Sequence, residues 1–170
     1  EDADNGGFFF TSHDHEDLVQ RNKPLADDTL PSGNGAAVRA LLELGSLTGE
    51  SRYTDAAERA LRASMSEIDD WPSAHATLVR GLLDYSSPPR RVILRCDDGP
   101  QIGAWQAVAA QHLSTRERCY VIPNSAKTLP GVLATRKASD DTPVTAYIYC
   151  GNDCGAGLTN CDDFAQQLKA

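Results

Sequence analysis

Two adjacent prolines, Pro88 and Pro89 in "SSPPRRVILRC", constrain this chain more than any other feature. Proline has no backbone N–H and its ring clashes with the preceding helical turn, so a helix arriving from upstream must end before the pair. Apolar residues repeat differently on the two sides. Upstream they recur at three- and four-residue spacing, as amphipathic helices require. Downstream they form short continuous runs, as strands buried on both faces do. The sequence therefore predicts two domains, a helical one over 1–87 and a small α/β one over 88–170.

Residues 1–31 carry no period. "GGFFFTSHDHED" is an aromatic run followed by a polar cluster, and "NKPLADDTLP" reads as a loop rich in turn formers. Three helices are expected next. The first follows Asn34, with Val38, Leu41, Leu42 and Leu44 on its apolar stripe, and stops near Thr48-Gly49. The second runs from Tyr53 to Ile68, burying Tyr53, Ala57, Ala60, Leu61 and Ile68. The third follows Pro72, with His75, Leu78, Val79, Leu82 and Leu83 as its stripe. Three such stripes do not easily close a bundle, so the helices read as part of a larger array. After the prolines, "RVILRC" and "CYVIP" are expected to be buried strands joined by a helix over Ile102–Leu113, a βαβ unit. A long polar loop over 124–141, a third strand in "TPVTAYIYC" and a terminal helix capped by Asn160 or Asp162 complete it.

Charge narrows the partners. The chain of 170 residues has a net charge of -8, so it lacks the basic surface that nucleic acid or an anionic membrane would need. Arg90, Arg91 and Arg95 are read as flanking a strand. No apolar run approaches the roughly 20 residues that cross a bilayer. Nothing signals export, so the expected setting is cytoplasmic, with the five cysteines reduced. Met65 is the only methionine, and the chain is expected to be a fragment or processed form.

Four stretches carry candidate chemistry. In "PSGN", Ser32 or Asn34 can accept from the first N–H groups of the following helix, whose positive end favours an anionic or hydroxyl-rich ligand. Arg21 and Lys23, just upstream, are candidate ligand-binding residues with Ser32 and Asn34, and could instead pair with Asp27 or Asp28. In "HDHE", His13, His15 and Glu16 are candidate acid–base groups, because imidazole titrates near neutrality. Cys150, Cys154 and Cys161 have the spacing C-x3-C-x6-C, which fits neither a zinc knuckle nor a C-x-x-C redox motif. A Cys150–Cys154 cross-link stays open, but reduced thiols are preferred, with no metal. "DDGPQIG" lacks the glycine pattern of a phosphate loop, and no cofactor is expected.

Several of these stretches also carry a resemblance. "GGFF", "HDHED", Arg-x-Lys-Pro over 21–24, "PSGN", "LTG-x-x-R-Y" and the later "YIYCGNDC" with "LTNCDDF" resemble the C-terminal part of the spermatogenesis-associated protein 20 family of thioredoxin-domain-containing proteins. The resemblance implies that the helices are the last hairpins of an (α/α)6 toroid, like that of N-acylglucosamine 2-epimerases and related glycosidases. It also implies that a thioredoxin-like domain and earlier toroid helices are the chain's partners in a full-length protein. Two functions follow as expectations. One is binding or processing of a sugar-like small molecule. The other is a non-catalytic interaction or scaffold module whose activity lies in the thioredoxin-like domain.

Overall fold

The computed structural model describes residues 1–12, 14, 21–97, 99–126, 128–137, 139, 141–151 and 153–169. It is mixed, with five α-helices and a four-stranded mixed sheet among these residues. The chain divides into two compact units, Glu1–Ser87 and Pro88–Ala170. No helix of the described residues is long and apolar enough to cross a membrane.

The first unit holds α1 (Gly33–Thr48), α2 (Ser51–Asp70) and α3 (Ala76–Ser86), the last entered through a 3-10 turn over Pro72–His75. Ser32 caps α1, accepting the Gly35 N–H at 3.1 Å. Gly49 ends it at φ 73°, a left-handed value that glycine adopts without a Cβ clash, and its N–H closes on the Gly45 carbonyl. The start of α2 lies against the end of α1, Gly45 beside Thr54. α1 and α3 run the same way. Gly35 sits against Thr77 near their starts, and Arg39 reaches Asp84 further along both. Val38, Leu42, Ala57, Ala60, Leu61, Ile68 and Leu78 form the core, with Phe8 and Leu25 packed against it.

Three stripe residues read as buried are exposed: Leu44 at 42%, Val79 at 37% and Leu83 at 46%. Periodicity assigns a residue to a stripe, but what covers the stripe's edge depends on neighbouring helices. Three helices leave these edges bare.

The second unit holds β1 (Arg91–Cys96), α4 (Ile102–His112), β2 (Arg118–Ile122), β3 (Val144–Cys150), β4 (Asp153–Cys154) and α5 (Cys161–Lys169), with strand order β2-β1-β3-β4. β1 pairs in parallel with β2 and antiparallel with β3. Val92, Leu94, Cys96, Val144, Ala146 and Ile148 share the face covered by α4 and α5, where Trp105 and Phe164 meet at 5.1 Å. Asn160, rather than Asp162, caps α5, accepting the Asp162 and Asp163 N–H groups.

Four expectations need correction here. The sheet has four strands, not three, because the chain after Cys150 folds back for the two residues of β4, too short a span to leave a sequence pattern. β2 is an edge strand with Val121 39% exposed, not a buried one, because nothing in the sheet pairs with its outer side. Arg91 and Arg95 do not flank β1 but belong to it, at 3% and 4% exposure. The loop over 124–141 contains a 3-10 turn, Gly131–Thr135, with Leu133 buried. Arg95 accounts for its position by donating to the carbonyls of Pro123, Ala126 and Arg136, which ties the loop to the sheet face opposite α4. Arg136 Nε in turn donates to the Tyr149 hydroxyl on that face.

Candidate functional site

The start of α1 is built by side chains that arrive from far away in sequence. Asn34 is 2% exposed and caps nothing. Its Oδ1 accepts the Phe8 N–H at 2.7 Å, and its Nδ2 donates to the carbonyls of Phe8 at 3.0 Å and Pro24 at 3.1 Å. The amide group thus binds an irregular segment as a neighbouring strand would, and places three phenylalanines beside the helix. The capping role falls to Ser32 alone.

Asp27 holds the other approach. Its Oδ1 accepts the Ser32 N–H at 2.7 Å and its Oδ2 the Thr77 N–H at 2.8 Å, joining the starts of α1 and α3. Burial works to raise its pKa, but the N–H groups of Ser32 and Thr77, helped by the nearby His75, outweigh it and hold the carboxyl below its usual range. Neither Arg21 nor Lys23 pairs with Asp27 or Asp28, as the sequence had allowed. Lys23 donates to Asp2 and to the Gly6 carbonyl, both at 2.8 Å. The Lys23 ammonium, with the Asn5 and Asp4 N–H groups, lowers the Asp2 carboxyl to about 2 against the opposing effect of burial. Arg21 donates to the Thr11 carbonyl, and its guanidinium lies 4.0 Å over the Phe9 ring.

These contacts frame a cleft of about 520 Å³ that brings together Phe8, Phe9 and Phe10, Pro24 and Ala26, and residues 28–34. That volume suits one small ring system. Phe10 and Leu30 are 82% and 75% exposed. No atom lies within 4 Å of where a Cβ on Gly33 would stand, so a ligand can approach the helix backbone there. Ser32 and Asn34 line this cleft; Arg21 and Lys23 do not. His13, His15 and Glu16 lie outside the described residues. The three phenylalanines and Asp28 were not singled out as site residues from sequence. The available signal was three consecutive aromatics in a stretch with no period to bury them.

The second unit has a cleft of about 600 Å³ at Arg90, Ile148, Cys150, Asp153 and residues 167–169. Its Arg90 guanidinium is already committed to Glu117 and to the Leu168 carbonyl. Among the described residues no three of His, Cys, Asp and Glu are grouped to hold a metal ion, and the five cysteines are free thiols. Register settles the Cys150–Cys154 question. Cys150 pairs with Asp153 and Tyr149 with Cys154, so the two cysteines point to opposite faces of the β3–β4 hairpin. Such a pair does not meet the Cβ geometry of a disulfide.

Searches of family models, curated proteins and solved structures return no match to this chain.

Proposed function

We propose that the cleft at the start of α1 binds a sugar-like small molecule, and that the chain is the C-terminal part of a protein of the spermatogenesis-associated protein 20 family. In this reading α1, α2 and α3 are the last hairpins of an (α/α) toroid, and residues 88–170 are its small α/β domain, built on a βαβ crossover through α4. One observation carries the binding proposal. Phe8, Phe9 and Phe10 line a single open cleft with the first residues of α1. An aromatic face offers an apolar surface to the C–H side of a pyranose ring, while backbone N–H groups at a helix start suit its hydroxyl oxygens.

Two features support the toroid reading. α1 and α3 run parallel with α2 reversed between them in sequence, the alternation that two concentric helix layers need. The bare side chains of Leu44, Val79 and Leu83 supply the apolar contact that neighbouring toroid helices would use.

Neutral methyl glycosides titrated into the 15N-labelled chain test the binding proposal. Amide shifts are expected at residues 8–10 and 28–34. Phe10→Ala should reduce the affinity without loss of stability, since Phe10 is 82% exposed. Absence of any shift with the neutral sugars would leave the interaction-module reading in its place. His13, His15 and Glu16 remain the acid–base candidates for turnover, to be replaced singly by alanine once a bound sugar is known.

A further inference from the structure

We infer that Asp28 makes this cleft selective for uncharged, hydroxyl-rich rings and excludes their phosphorylated or carboxylated forms. The inference rests on the sugar-binding reading above and concerns which members of that class the cleft accepts.

The cations that an anionic ligand would need are engaged away from the lining. Lys23 is paired with Asp2 at 2.8 Å and also donates to the Gly6 carbonyl. Arg21 donates to the Thr11 carbonyl and lies over Phe9 rather than lining the cleft. Asp28 is the ionisable side chain among the described lining residues. It is exposed, and its carboxylate makes no hydrogen bond or ion pair with any other described residue. Asp27, its neighbour, has both carboxylate oxygens occupied by the Ser32 and Thr77 N–H groups.

The start of α1 pulls the other way, because a helix N-terminus carries about half a positive charge. Asp27 and Asp28 set two full negative charges beside it, and the Ser32 hydroxyl already accepts from Gly35. The net field at the cleft therefore opposes an anion. A neutral ring satisfies both sides at once. Its hydroxyls donate to the Asp28 carboxylate and accept from backbone N–H groups, whereas a phosphate has acceptors and full charge only.

The test compares a neutral methyl hexoside with the same sugar bearing a 6-phosphate, on the wild-type chain and on Asp28→Asn, by calorimetric titration at low and high salt. The wild type should bind the phosphate about tenfold more weakly than the neutral sugar, the size expected for one like-charge contact in a half-exposed site. The gap should close in Asp28→Asn and shrink with added salt, which separates charge exclusion from crowding by the phosphate. Asp28→Asn should fold normally, since no described residue depends on the carboxylate. Equal binding of both sugars by the wild type, or a gap that ignores both salt and the substitution, overturns the inference and leaves the sugar-binding reading standing. If neither sugar binds the wild type, that reading fails and the inference falls with it.

Discussion

Asn34 closes both backbone hydrogen bonds of Phe8, 26 residues away, through the two ends of one side-chain amide. The contact spans an irregular segment and a helix, and the cleft depends on it. Remove the amide, and nothing else described fixes Phe8 to α1 through hydrogen bonds.

Asn34→Ala should therefore cost more than a cap deletion. It strands an N–H and two carbonyls beside a 2%-exposed site, and each such group left unpaired costs about 1–3 kcal/mol. Ser32→Ala, which removes a cap alone, should cost about 1 kcal/mol. Urea unfolding should rank Asn34→Ala clearly below Ser32→Ala. Asn34→Asp should not rescue, because two of the three bonds are donated by Nδ2 and a carboxylate has no donor. Equal midpoints for the two alanine variants would mean that Asn34 does no more than a cap.

Glycines at neighbouring positions of α1 should respond oppositely to alanine. A Cβ on Gly35 would stand 2.7 Å from Thr77 Cγ2 and 3.0 Å from the Thr77 backbone carbon, so α1 and α3 must move apart. Alanine's helix advantage of up to about 1 kcal/mol does not offset that. Gly35→Ala should lower the melting temperature, while Gly33→Ala, facing open space, should leave it unchanged or raised. A stabilised Gly35→Ala would show that α1 and α3 do not approach as described.

Acid should weaken the N-terminal segment through Asp2. Its folded pKa of about 2 lies below the ordinary 3.8, so the carboxylate form is favoured by folding. The contribution is complete above pH 3.8 and is lost as pH falls through about 2. Asp2→Asn should be less stable than the wild type above that window, with the two converging at its acid end. A difference that stays constant across the window would mean that Asp2 is not held by Lys23.

Thiol reactivity should follow burial. Burial, with Cys96 nearby, pushes the Cys119 thiol up to about 11, and Cys96 is 2% exposed. Iodoacetamide at mildly alkaline pH should therefore label exposed Cys150 first and Cys96 and Cys119 last, read by peptide mass spectrometry. Under mild oxidation no Cys150–Cys154 link should appear in the non-reduced map. Its appearance would contradict the β3–β4 register.

How far the sequence reached is clearest residue by residue. The types of the elements followed from local pattern. Apolar spacing marked α1 to α3, and the continuous run "RVILRC" marked a strand whose six residues are all buried. These signals lie within a few residues of each other, and local backbone sterics and side-chain period suffice to read them. The burial of Arg95 was not readable, because a guanidinium in a strand core is stable only if carbonyls from a distant loop reach it, and those carbonyls stand 28 to 41 residues away.

The start of α1 shows the division most sharply. The sequence by itself determined that a helix begins at "PSGN" and that a short polar side chain caps it. Ser32 and Asn34 compete for that role on equal local terms, each able to accept from the same first-turn N–H groups. Only the tertiary structure decided between them, by bringing the backbone of Phe8 and Pro24 to Asn34. A planar amide can donate and accept at once, and a hydroxyl cannot bridge the same N–H and carbonyls in that geometry. The cap went to Ser32, and the amide went to the segment that carries the cleft's aromatic residues.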